Sequence, residues 1–182
     1  MYNENLLITI MIEKTYFGNS EVSLQFIEKN HLQMIQNPLF TSVHGFAINQ
    51  QKEILFTVNP RGIDIVGGHI EKGESPEDAL KRECMEEASI LPIQYELIGA
   101  IEINNEKNPE ALKKGYPLIG YQPFFVISEY EIFPFQATHE CIDRLWLSQE
   151  KIPEKHHHWL QTHKEALQVA LNYLQHSKKM KM

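Results

Sequence analysis

Two cysteines in 182 residues are too few for a disulfide framework, and Cys84 and Cys141 show no zinc-ligand spacing. They suit a reducing compartment, so a cytoplasmic location is expected. No apolar run approaches the length needed to span a bilayer, which argues against a helical membrane protein. LLITIMI near the start is apolar, but Asn and Glu precede it where a secretory signal carries basic residues, and it reads as a strand. Positive charge is also scarce: 17 Lys and Arg stand against 24 Asp and Glu, a formal net charge of −7. That balance excludes a general nucleic-acid or membrane-surface binder, which needs a basic face. Only the closing KKMKM is basic, and short lysine-rich ends are usually solvated. There is no internal repeat and no low-complexity stretch. With 42% hydrophobic and 23% charged residues, residues 1–182 are expected to form one domain with a sizeable core.

What the chain does have is the segment GGHIEKGESPEDALKRECMEE, from Gly67 to Glu87. Ser75 is a good N-cap, Pro76 suits the first helical position, and Asp78 completes a capping-box variant, so a helix is predicted from Pro76 to about Ala88. Ala79, Leu80 and Cys84 fall on its buried side. Glu83, Glu86 and Glu87 stand at i, i+3 and i+4 and therefore share one face. Like charges that close repel, and a divalent cation removes the repulsion. Hard carboxylate oxygens suit Mg2+ or Mn2+, which keep positions for water and substrate phosphates. Taken alone, E-x-x-E-E on a helix also fits a plain solvated face.

Joined in register, these residues resemble the signature of the Nudix (MutT-like) hydrolases, G-x5-E-x7-R-E-U-x-E-E-x-G-U with U aliphatic. Gly68, Glu74, Arg82, Glu83, Glu86, Glu87 and Ile90 match. Cys84 replaces an aliphatic residue and fits the same packing role. Ser89 replaces the last glycine, and a left-handed helix end costs serine about 1–2 kcal/mol. The resemblance implies an α/β fold, a mixed β-sheet sandwiched between helices (α/β/α), with the signature loop–helix at 67–90. It implies a metal site of Glu83, Glu86, Glu87 and the Gly67 carbonyl. Glu86 and Glu87 would be catalytic by orienting water, and Arg82 by facing phosphate, while Glu74 and Arg82 brace the loop.

The activity so implied is Mg2+- or Mn2+-dependent hydrolysis of the diphosphate linkage of a nucleoside diphosphate joined to another group. That is pyrophosphohydrolase chemistry on phosphoric anhydride bonds. By elimination of subfamily marks, the default substrate is a nucleoside triphosphate, oxidised or not. The alternative is a non-hydrolytic nucleotide sensor of the same fold; an isomerase acting on a prenyl diphosphate would need a catalytic cysteine that Cys84, within the helix, does not supply.

Beyond the signature, strands are predicted at Leu6–Ile12, Val22–Ile27, Thr41–Ile48, Ile54–Thr57, Ile63–Val66, Tyr95–Ile103, Gly120–Ser128 and Ile142–Leu147. An amphipathic helix closes the chain within 156–176, on Leu160, Leu167, Leu171 and Leu174. Residues 1–40 read as an N-terminal strand extension, whose free edge suggests a homodimer. Arg61 is a candidate phosphate ligand or a surface ion pair. His69 touches substrate or faces solvent, and Glu140 is a candidate general base or a charged residue before a strand. Tyr121, Phe124 and Phe125 stack on a base or belong to the core. The segment 104–118, with Lys107, Lys113 and Lys114, is a lid or a plain connection. His156, His157 and His158 are adjacent, cannot converge on one ion, and read as an exposed helix start.

Overall fold

The computed structural model describes residues 11–137, 140–156 and 158–180. Its strands are β1 (Glu13–Phe17), β2 (Ser20–Glu28), β3 (Ser42–Ala47), β4 (Ile54–Asn59), β5 (Gly62–His69), β6 (Ile90–Asn104), β7 (Ile119–Ile132) and β8 (Asp143–Leu147). The helices are α1 (Lys29–Leu32), α2 (Pro76–Ala88), α3 (Pro109–Lys113), α4 (Ile152–Lys155) and α5 (Gln161–Met180). All eight strands join one sheet in the order β1-β2-β6-β7-β3-β5-β4-β8. Its pairings are antiparallel except β3 with β7, which is parallel.

Alternation along the strands divides the core into two layers. Phe46, Phe56, Phe124 and Val126 face α5 and pack with Ala166, Leu167 and Ala170. Val43, Leu55, Val66 and Phe125 face α2 and pack with Ala79, Leu80, Cys84 and Ala88. The result is the predicted mixed sheet between helices. Tyr121, Phe124 and Phe125 are all buried, so these aromatics are core. No described helix is long and apolar enough to cross a membrane.

Helix α2 occupies the predicted span, because its start is encoded locally: the Ser75 hydroxyl oxygen accepts from the Asp78 amide at 3.1 Å. Its exit is a tertiary product. Ser89 adopts the left-handed conformation at φ 49°. Its hydroxyl accepts from the Gln136 amide at 3.2 Å and its carbonyl from the Phe133 amide at 2.9 Å. Arg144 also donates to the carbonyls of Ala88, Ser89 and Phe133. These bonds offset the strain a glycine would have avoided.

Three expectations need correction. In the predicted strand Leu6–Ile12, residues 6–10 lie outside the described residues, and Met11 and Ile12 are not in a strand; the first described strand is β1, from Glu13. Its hairpin with β2 turns on Gly18 and Asn19, with Gly18 at φ +62°, a two-residue glycine turn that the hairpin rules mark. Helix α5 starts at Gln161, later than expected, because its cap comes from across the fold. The Glu13 carboxylate accepts from the Gln161 and Thr162 amides, each at 3.0 Å. Finally, His156 is not an exposed helix start: it is buried at the end of α4 against Phe56 and Trp159. His158 is exposed, and His157 lies outside the described residues.

Candidate active site

The glycine turn and α2 place the signature carboxylates against the end of β5. The Gly67 amide donates to Glu87 Oε2 at 3.0 Å. Any side chain at Gly68 would overlap the Glu83 carboxylate, so the backbone there forms a cradle for it. Arg82 organises the rest. It donates from Nε and Nη2 to both oxygens of Glu74 at 2.9 Å, from Nη2 to the His69 carbonyl at 2.9 Å, and from Nη1 to Glu83 at 2.8 Å and Glu86 at 3.3 Å. The bidentate Glu74 pair ties the loop to the helix.

Electrostatics mark Glu87 within this group. Burial pushes its carboxyl up to about 7; the Gly67 amide opposes the shift, and neighbouring Glu83 and Asp64 reinforce it. Burial, then Glu87, raise the Cys141 thiol to about 11, and Thr57 opposes the shift. Among the described residues, no three carboxylate, imidazole or thiol side chains close around one point. Even so, the donor set fits a hard cation: oxygens from Glu83 and Glu87 meet at the Gly67–Gly68 backbone, with Glu86 on the same helix face.

Beside this group a cleft opens on the α5 face of the sheet. One compartment, of about 450 Å³, is bordered by Ser42, His44, Gly68, His69 and the 104–118 segment. A second, of about 760 Å³, is bordered by Arg61, Asp64, His156 and His163. His69 lies at the first, where its Nε2 is 2.6 Å from the Tyr116 hydroxyl. The 104–118 segment carries α3 and walls the same compartment through Asn105, Asn108 and Lys114, while Lys107 pairs with Glu21 at 2.8 Å. Arg61 borders the second compartment and pairs with Glu140 at 2.7 Å, both side chains being largely exposed. The two candidates chosen separately for phosphate binding and base catalysis thus hold each other.

Sequence reasoning missed the imidazoles lining this cleft. His44 stacks on Phe124, with ring centroids 5.1 Å apart, and His163 packs near Phe124, Trp159 and His156. The His158 amide donates to Nδ1 of His156 at 3.2 Å, which places that ring's proton on Nε2, 3.5 Å from Asp64. Burial raises the Asp64 carboxyl, but His156 and His44 outweigh it and hold it below the usual range. No sequence signal joins His44 to His163; only the β7 ring between them does.

Burial lowers His44 to about 4, helped by His69 and His156, and lowers His163 to about 3, helped by His44 and His156. Both rings are therefore neutral in the folded protein, while the unfolded chain protonates them near the ordinary histidine value of about 6.5. Between roughly pH 6.5 and 4 the unfolded state binds more protons, so stability is complete above that window and lost as pH falls through it. Glu87 opposes this, since its raised carboxyl loses stability as pH rises towards 7, but one group works against two. The thermal midpoint, measured in EDTA, is expected to fall steadily from pH 6.5 to 4, and His163→Gln to flatten that slope.

The fold and site together define an α/β/α sandwich in which a glycine turn, an Arg-Glu brace and a helix face of carboxylates lie together. The chain belongs to the Nudix family: the NUDIX domain model matches residues 38–168. No curated protein sequence matches the chain. Among solved structures, it is similar to the Bacillus subtilis pyrophosphohydrolase BsRppH at 16% identity and a TM-score of 0.66, covering 90% of this chain and 98% of that one. A NUDIX hydrolase from Nitrosomonas europaea follows at 20% and 0.55, with coverage of 73% and 88%. A MutT structure, from work on the Aliivibrio salmonicida and Vibrio cholerae proteins, stands at 18% and 0.52, covering 72% and 97%. At these identities the likeness concerns the fold.

Proposed function

We propose that this protein is a divalent-metal-dependent pyrophosphohydrolase acting on a nucleoside diphosphate joined to another group, with a nucleoside triphosphate as the default substrate. The observation that carries this reading is the convergence of Glu83 and Glu87 on the Gly67–Gly68 backbone, beside a cleft large enough for a nucleotide. The naming of one similar structure as a pyrophosphohydrolase accords with it.

Glu83, Glu86 and Glu87, with the Gly67 carbonyl, would hold Mg2+ or Mn2+. When bound, the ion would lower the pKa of a coordinated water and screen phosphoryl charge. The protein's own groups do the positioning. Arg82 holds Glu74 and the loop in place and keeps Glu83 and Glu86 oriented until cation and phosphates arrive. Glu86 or Glu87 directs the attacking water. Glu140 is the other acid to weigh as base; it precedes Cys141, whose thiol is raised in part by Glu87, but its carboxylate is engaged by Arg61. Arg61 and His69, on the cleft's two compartments, meet the substrate. Should the protein dimerise, the sheet-edge strand β1 is the surface for pairing.

The test is release of phosphate or pyrophosphate from a panel of common and oxidised nucleoside triphosphates, with Mg2+, with Mn2+ and with EDTA. Turnover that requires metal supports the reading. Nucleotide binding with no turnover under any condition would replace it with a sensor.

A further inference from the structure

The cleft has a wall that the family match does not include. The β1–β2 hairpin precedes residues 38–168, and its tip, Phe17 and Gly18, borders both compartments. Strand β7 contributes Gln122 to both as well, from the sheet below. The two compartments therefore meet between an aromatic ring and a carboxamide.

The hairpin is fastened at both ends of its reach. Glu13 caps α5 through the Gln161 and Thr162 amides and also accepts from the Thr162 hydroxyl at 3.1 Å. Glu21 pairs with Lys107 of the 104–118 segment at 2.8 Å. Such ties hold the tip over the cleft. Phe17 nevertheless remains 45% exposed, so its ring face is not consumed by core packing. The Gln122 carboxamide has no hydrogen-bond partner among the described residues, so its two donors and its acceptor are unused where it lines both compartments.

A free aromatic face beside an unpaired amide edge matches a planar heterocycle with polar edges. Every nucleobase has a stacking face, and its donors and acceptors distinguish one base from another. We infer that the β1–β2 hairpin is a substrate-recognition element: the base of the nucleotide stacks on Phe17 while Gln122 reads its edge. This inference rests on the nucleotide reading given above. It adds that the stacking ring comes from a segment outside the matched domain, and that the chemistry at the glutamates is separate from it.

The experiment is steady-state kinetics on the full chain with ATP, GTP, CTP and UTP, comparing wild type with Phe17→Ala, Phe17→Trp and Gln122→Ala. Stacking on one aromatic ring corresponds to about 5–150-fold in affinity. Phe17→Ala should raise KM within that range with kcat nearly unchanged, since stacking is made equally in ground and transition states. Phe17→Trp should restore KM, and Gln122→Ala should level the preference among the four bases. Because Phe17 is exposed at a hairpin tip, a matching thermal midpoint is expected for its variants. An unchanged KM in Phe17→Ala, on any substrate the wild type hydrolyses, overturns the hairpin's role and leaves the pyrophosphohydrolase intact. Absence of turnover in the wild type, on these four and on the oxidised nucleotides with either metal, overturns both.

Discussion

Replacing Glu87 with glutamine is expected to lower kcat by about 10²–10⁴-fold, the range found when a positioned acid–base group is removed, without unfolding the protein. Glutamine has the same shape and can still accept the Gly67 amide that now reaches Glu87 at 3.0 Å. It also removes the burial penalty that pushes this carboxyl up to about 7. The thermal midpoint in EDTA should therefore hold or rise slightly while turnover collapses. Opposite movement of stability and rate is the signature of a functional charge kept at a structural cost. A Glu87→Gln rate within a few-fold of wild type would remove Glu87 from the machinery.

Gly67→Ala should be strongly damaging for a change of a single methyl group. Gly67 lies at φ +152°, a backbone that side chains rarely adopt, and its Cβ would overlap the Val43 carbonyl and the His44 backbone on β3. Those neighbours belong to the β3–β5 ladder, in which His44 pairs with Gly67, so they cannot rotate away. Strain and overpacking, each of about 1–3 kcal/mol, act together. The expected loss is about 3 kcal/mol or more, a fall of roughly 6–12 °C in thermal midpoint for a domain of this size. Turnover should fall further than stability accounts for, because the same shift moves the amide that positions Glu87. A midpoint within about 2 °C of wild type would show that the strand yields easily and that the turn does not need glycine.

The two substitutions probe one turn from different sides, and they differ in how far sequence could foresee them. The role proposed for Glu87 follows from its spacing to Glu83 and Glu86. The intolerance at Gly67 depends on β3 running beside β5, a pairing between segments with no local link. Arg82 shows the same division. Its bond to Glu86 is an i, i+4 contact readable from the chain, whereas its bond to the His69 carbonyl requires the turn to fold back over the helix. Ser89, the apparent defect in the signature, is supported by Gln136, Phe133 and Arg144, none of which its own neighbourhood suggests.

By itself the sequence determined the helix Pro76–Ala88, its cap, the shared face of the three glutamates and most strand positions. Those features depend on capping bonds, alternation and helical periodicity, interactions that reach only a few residues along the chain. Tertiary structure alone decided that Glu13 caps a helix 148 residues away, that Arg61 meets Glu140, and that His44, His163 and Phe17 border one cleft. Such contacts arise because burying both faces of a single sheet brings distant segments into register, and no short-range rule in the chain specifies which of them will meet.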